Sequence, residues 1–162
     1  MARLIAADAG PLIAFGRIEK LALLPEVLGE ILVPEAVIAA CLIDPDKPGA
    51  SAIERALEKR ILTRIDDPAP ALPPYPLLDS GESAAIRLAL KLAIPVLIDE
   101  KAGRKVATNL GLSVIGTVGV LLAAKKHGHI EAVRPFLDAM SLQGYFVSGT
   151  LIRAALNRAG ER

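Results

Sequence analysis

Aromatic residues make up only 3% of the 162 positions, against a hydrophobic fraction of 52%. Platforms on which single-stranded bases could stack are therefore scarce. The core has to be assembled from Ala, Leu, Ile and Val, as in closely packed helices around a buried sheet. Cysteine is nearly absent. Cys41 stands alone, which excludes an internal disulfide; on an apolar helix it reads as a core residue with no partner for nucleophilic catalysis. Long apolar runs are lacking near the start, since Leu4 to Ala7 is too short for the hydrophobic region of a signal peptide or for a membrane span. The expected setting is a reducing cytoplasm, with no membrane. Neither sign of charge is in excess, the net being +1, so there is no global basic footprint. Any nucleic-acid contact must rest on local patches such as Arg104 with Lys105, Lys125 with Lys126, and Arg153 with Arg158. Each of these reads more simply as a solvated helix face. Neither a Walker pattern nor G-x-G-x-x-G occurs, which argues against nucleotide-binding classes.

What the chain does contain is length enough for one domain spanning residues 1–162, with a substantial core and no need of disulfides or a structural metal. So high an apolar content also points to a helical face covered in a homodimer. Arg3 to Ala7 reads as a strand ending at Asp8, and Gly10-Pro11 opens a helix carrying Leu12, Ile13, Phe15, Ile18, Leu21 and Leu24. Glu30 to Val33 reads as a second strand. Pro34 reads as the first residue of a helix that continues over Glu35 to Leu42, and the breakers Asp44 to Gly49 end it. Ser51 to Lys59 reads as a helix and Ile61 to Ile65 as a strand. Asp66 to Pro76, with its five prolines, reads as an extended connection and not as a domain boundary. Beyond it the alternation repeats: helix Ser80 to Ala93, strand Pro95 to Ile98, helix Lys101 to Leu110, strand Leu112 to Ile115. Helices near Val118 to Lys126, Glu131 to Ser141 and Ser148 to Ala159 follow. Apolar strands separated by helices predict an α/β fold with a mainly parallel sheet covered on both faces.

In such a sheet, ligands collect in the crevice outside the carboxyl ends of the strands. Asp8 and Asp99 each end an apolar strand, and Glu82 lies in the first turn of a helix able to enter the same edge. Carboxylates a few ångströms apart raise one another's pKa, and a divalent cation relieves the repulsion. Oxygen ligands with no accompanying His or Cys set point to Mg²⁺ or Mn²⁺, which can activate water and neutralise the charge of a phosphodiester transition state. Helix capping accounts for the same acids one at a time. Asp8 precedes a helix with Pro11 in its first turn, Asp79 and Glu82 have capping-box spacing, and Asp99 precedes the helix near Lys101. Thr117, after Gly116, either orients a water or phosphate or is one more N-cap. His127 and His129 flank Gly128 at an expected helix end, where contact with the last carbonyls suits them better than a metal. A phosphatase using Asp8 as nucleophile is a weaker reading, because Gly10 stands where its second Asp belongs.

Four stretches, in order, resemble one family. "DAGPLIAFGRI" (Asp8 to Ile18), "LDSGESAAIRLAL" (Leu78 to Leu90), "VLIDEKAGRKVA" (Val96 to Ala107) and "GLSVIGTVGVLLAAKKHGHI" (Gly111 to Ile130) closely resemble the PIN-domain proteins, in particular the prokaryotic branch similar to VapC-type toxins. The resemblance covers nearly the whole chain. It implies a three-layer α/β/α sandwich around a parallel sheet, a Mg²⁺- or Mn²⁺-dependent endoribonuclease acting on RNA, homodimer formation and often a neighbouring antitoxin protein as partner. Matched by position, it implies that Asp8, Glu82 and Asp99 are the catalytic, metal-binding acids and that Thr117 is the hydroxyl residue of the site. Glu100 would be an outer helper. Arg104 would contact a phosphate, although it reads at least as well as a surface helix residue. One position departs from the pattern. Family members usually carry an acid about six residues after the proline of "VPEAVIAACLID", where this chain has Ala40. Glu35 is more than a turn away and Asp44 adjoins Pro45, so neither replaces it cleanly. Two expectations follow. The chain is a metal-dependent ribonuclease of the toxin–antitoxin type or, with one carboxylate missing, a catalytically weak or silent PIN domain that binds RNA or a protein.

Overall fold

The computed structural model describes residues 3–47, 49–68 and 78–162. β1 (Leu4–Ala7) is a run of four apolar residues in which Ile5, Ala6 and Ala7 are buried, the composition of a strand enclosed on both faces. It leads through Asp8 into α1 (Ala9–Arg17) and, after a turn, into α2 (Leu23–Leu28). β2 (Glu30–Pro34), α3 (Glu35–Leu42), α4 (Ala50–Glu58) and β3 (Thr63–Ile65) complete the first half. The second half runs α5 (Ser80–Leu92), β4 (Val96–Leu97), α6 (Lys101–Asn109), β5 (Val114–Ile115), α7 (Thr117–Lys126), α8 (Arg134–Leu142) and α9 (Gly149–Arg158).

All five strands are parallel, in the order β3-β2-β1-β4-β5, and helices flank the sheet in a three-layer α/β/α arrangement, as expected. Parallel neighbours cannot be joined by a hairpin, so each connection must leave the sheet as a helix. From β1 the chain winds outward through β2 and β3, and then returns by α5 to lay β4 and β5 on the other side of β1. α5 packs against β1, β2 and β4 and between α3 and α6. The winding therefore reverses between β1 and β4, which makes the carboxyl ends of those two strands a topological switch point. Their register sets Ala7 opposite Leu97, and the Asp8 N–H continues the ladder onto the Leu97 carbonyl at 2.9 Å.

The core reflects the poverty in aromatics. Ala6, Ala7, Ala85, Ala89, Ala107 and Ala124 are completely enclosed, and Phe15 is the one described aromatic among the fully buried side chains. Small residues let helix backbones come close to the sheet, and Leu12, Leu24, Ile31, Ile53, Leu97, Ile98 and Leu121 fill the remaining volume. Among the described residues no helix is long and apolar enough to cross a membrane.

Several boundaries differ from the sequence reading, each for a local reason. The helix expected to run from Gly10 through Leu24 is two helices. Glu19 takes a left-handed conformation (φ 57°), its N–H reaching Gly16 O at 3.1 Å while Lys20 N–H reaches Phe15 O at 2.9 Å. That is the Schellman pattern, here with Glu in place of the usual Gly, and the Glu19 carboxylate is held by both of its oxygens on Arg55 at 3.0 Å. Pro34 ends β2 and occupies the N-cap of α3 instead of its first turn. α8 starts at Arg134, three residues later than the expected start at Glu131. The proline-rich connection is described only as far as Pro68; its remainder lies outside the described residues.

α8 has no cap of its own, and the missing acceptors come from elsewhere. Glu161 accepts the Val133 N–H at 2.8 Å, the Arg134 N–H at 3.1 Å and the Lys125 ammonium at 2.9 Å, while Lys125 also donates to Ala159 O. One carboxylate thus ties the end of α9 to α7 and to the positive end of α8. Those backbone donors, with Lys125, hold its pKa down from the ordinary 4.5 to about 2. A lowered folded pKa contributes stability that is fully present above the unfolded value and is lost as pH falls through the folded one. Glu161→Gln is expected to lower the urea midpoint at pH 7, with parent and variant converging between pH 5 and pH 2. A gap that stays constant over that range would remove the carboxylate from this role.

Candidate active site

Asp8 follows the last residue of β1 with extended backbone and sits at the N-cap position of α1, yet its side chain makes no capping bond there. Only 4% of the residue is exposed. Burial pushes its carboxyl up from the ordinary 3.8 to about 7; the Ala9 N–H works against the rise, and the charges of Glu82, Asp79 and Glu100 add to it. Gly81, in the first turn of α5, lies against Asp8: a Cβ there would stand 3.6 Å from Asp8 Oδ1.

Glu82 has divided duties. Asp79 caps α5 by accepting the Glu82 N–H at 2.8 Å, and Glu82 Oε1 returns toward the Asp79 N–H at 3.4 Å, completing the capping box that the spacing predicts. The other oxygen, Oε2, is buried without a hydrogen-bond partner. Burial leads the causes that raise the Glu82 pKa, with the Asp79 charge and the Glu100 charge adding to it and the Asp79 N–H opposing it. Gly103 of α6 leaves the space this oxygen occupies: a Cβ at that position would lie 2.8 Å from Oε2 and 2.5 Å from the Ile98 methyl. An unpartnered buried oxygen is costly and calls for a donor or a cation.

Asp99 is not the cap of α6, whose N-cap position is held by the exposed Glu100. Its Oδ1 instead accepts the Thr117 N–H at 2.8 Å, and Oδ2 accepts the Thr117 hydroxyl at 2.7 Å and the Tyr145 hydroxyl at 3.1 Å. Asp99 therefore caps α7 from across the sheet edge, and fully buried Thr117 is its first helical residue, not its N-cap, which is Gly116. The hydroxyl of Thr117 is spent on Asp99, so it orients the acid. Tyr145 is a site residue that the sequence does not reveal, because nothing in its spacing links it to Asp99; the nearest signal is an aromatic pair, Tyr145-Phe146, in a chain with few. Burial, then the Asp99 charge, raises the Tyr145 pKa and keeps the phenol a donor.

Arg104 donates from Nη1 to Ile98 O at 3.0 Å, which holds its guanidinium above the end of β4 and beside Gly116. Asp99, Glu100 and Arg104 line an open cleft of about 1050 Å³ on this flank, together with Arg17, Lys101 and Arg158. Asp8 and Glu82 lie outside that lining. Among the described residues no three His, Cys, Asp or Glu side chains stand together as a ready metal-binding group. The position of the departure, Ala40, is exposed on α3. Glu35 is paired with Arg64 at 3.0 Å and Asp44 accepts the Asp46 N–H at 3.1 Å, so both nearby acids are engaged elsewhere. Cys41 is a buried thiol pushed up to about 12 by burial and, secondarily, by the Asp8 charge. His127 caps the end of α7, and His129 faces Glu26 at 4.0 Å.

A family model for PIN domains (DUF3368) matches residues 4–161. No curated protein matches the chain.

The raised pKa of Asp8 fixes a sign. Between about pH 4 and about pH 7 the folded protein keeps a proton that the unfolded chain releases, so stability falls as pH rises through this window and levels off above it. Asp8→Asn is expected to remove that fall, making the variant more stable than its parent at pH 8 by on the order of a few kcal/mol. Urea midpoints at pH 4 and pH 8 measure it; an unchanged pH dependence in the variant would show that Asp8 ionises freely.

Proposed function

The chain belongs to the PIN-domain family, a nuclease-type fold, and from that membership we propose that it is a metal-dependent endoribonuclease of the toxin–antitoxin type. The observation that carries the reading is Glu82 Oε2, a buried carboxylate oxygen with no hydrogen-bond partner, in the same acidic group as Asp8, whose ionisation burial opposes. These are hard oxygen donors with no nitrogen or sulfur among them, which suits Mg²⁺ or Mn²⁺. Asp8 and Glu82 would hold the ion, with Asp99 completing the set. When bound, the cation supplies Lewis acidity: positive charge against the developing charge of the phosphodiester and a more acidic water.

The chain's own residues do the rest. Thr117 and Tyr145 fix the orientation of Asp99 and leave it acceptor capacity for a further contact. Arg104, anchored on Ile98 O, keeps donors for a phosphate oxygen at the mouth of the cleft. Glu100, exposed at the start of α6, adds negative charge that draws a cation to the edge. The proposal extends to RNA as substrate in the cytoplasm, an antitoxin protein as partner and a homodimer, the last supported by Ile43 and Leu142, apolar side chains 84% and 87% exposed.

A second reading is a silent PIN domain acting as a binding module. Ala40 favours it, as does the want of a ready three-acid group among the described residues. Purified protein incubated with a mixed pool of structured RNA is expected to cleave with Mn²⁺ or Mg²⁺ and not with chelator, and Asp8→Asn to lose the activity by at least about a hundredfold. Mn²⁺ should also raise the urea midpoint of the parent at pH 8 and leave that of Asp8→Asn unmoved. Ala40→Glu separates the two readings: a rise in cleavage marks a weakened nuclease, whereas a parent and an Ala40→Glu variant both inert on RNA would support the module.

A further inference from the structure

The two carboxylate oxygens of Asp99 have unlike surroundings, and residues outside the three acids make the difference. A carboxylate offers about four acceptor positions, two on each oxygen. Oδ2 has both of its own filled, by the Thr117 hydroxyl at 2.7 Å and the Tyr145 hydroxyl at 3.1 Å. Oδ1 takes the Thr117 N–H at 2.8 Å and no other donor among the described residues, so one of its positions stays open. The space beside it is kept clear by a missing side chain: a Cβ on Gly116 would stand 2.9 Å from Oδ1. Gly116 has a φ of −112°, which is open to any residue. What a side chain would lack there is room, not a permitted backbone. Arg104 Nη1 borders the same space but donates to Ile98 O, and among the described residues Asp99 has no ion pair.

Divalent cations that favour oxygen respond differently to such an acid. Mg²⁺ demands near-ideal octahedral geometry and keeps several waters, whereas Ca²⁺ takes about six to eight oxygens and accepts both oxygens of one carboxylate. Mn²⁺ takes octahedral oxygen sites as Mg²⁺ does. We propose that Tyr145 is a positioning residue that selects the ion: by filling the second position on Oδ2 it confines Asp99 to contact through one oxygen, which admits Mg²⁺ or Mn²⁺ and disfavours Ca²⁺. This rests on the reading of Asp8, Glu82 and Asp99 as the acids that hold a cation, and adds how the wrong cation is turned away. Thr117 occupies the same oxygen, but it is fully buried and is fixed twice, by its short hydroxyl bond and by its N–H on Oδ1. Tyr145 makes the longer bond, from the segment between α8 and α9. Removal of its hydroxyl alone frees a position on Oδ2 and leaves both Thr117 bonds in place.

The test is isothermal titration of the full chain with MnCl₂ and with CaCl₂ at pH 8, without RNA. The parent is expected to bind Mn²⁺ more tightly than Ca²⁺, and Tyr145→Phe to cut that ratio by about tenfold, through weaker Mn²⁺, tighter Ca²⁺ or both. Thr117→Val, which opens Oδ2 from the other side, should move the ratio in the same direction. A residue that merely supports the fold would weaken both ions alike, so a common loss by one factor in Tyr145→Phe overturns the proposal. An unchanged ratio overturns it as well, and so does a ratio that falls in Tyr145→Phe and stays put in Thr117→Val, since the effect would then not pass through Oδ2. Failure of the underlying reading registers separately. A parent that binds neither ion loses the cation site and this proposal together, whereas a parent that binds Mn²⁺, with the same ratio in Tyr145→Phe, loses only the selecting role of the phenol.

Discussion

Because β1 pairs with β4 in parallel and Ala7 stands opposite Leu97, the chain delivers Asp8 and Asp99 to one place from positions far apart in sequence. The Asp8 N–H on Leu97 O is the last rung of that ladder. α5 is the connection that makes the pairing possible, and its first turn carries Glu82 into the same edge. Had β4 been laid outside β3, the two acids would lie three strands apart.

The edge is built against its own electrostatics. The helices α1, α5, α6 and α7 all begin at it, which favours negative charge there, but the acids they receive are enclosed or spoken for in different ways. Asp99 is satisfied by three donors. Glu82 is half satisfied, with one oxygen in a cap and the other alone. Asp8 is enclosed, and burial opposes its ionisation. This gradation assigns Asp99 to a fixed geometry and leaves Asp8 and Glu82 as the pair whose charge remains to be answered.

Much of this was legible in the sequence. Apolar strands ending in Asp8 and Asp99, separated by amphipathic stretches, predicted the parallel sheet, and "LDSGES" predicted the capping box. What the sequence could not show were contacts between elements. The capping reading of Asp99 pointed to the helix that follows it in the chain, whereas its oxygens serve α7, eighteen residues on, because β5 lies beside β4. Tyr145 and Glu161 act at still longer separations. The stop at Glu19 was hidden because a Schellman turn normally announces itself with glycine, and here an ion pair with Arg55 accompanies an ordinary residue in the left-handed region.

The Tyr145 hydroxyl has a wider implication. It is a single bond between the acid at the end of β4 and the segment that forms the opposite wall of the cleft. Two ligands that each prefer one arrangement of such a bond are thermodynamically linked, and the coupling free energy is the same read from either end. Whatever factor a ligand at the acids contributes to the grip on a ligand in the cleft, the second must return to the first. The phenol, which itself lines the cleft, is thereby a place where one substitution can set how strongly occupancy of the edge and occupancy of the cleft depend on each other.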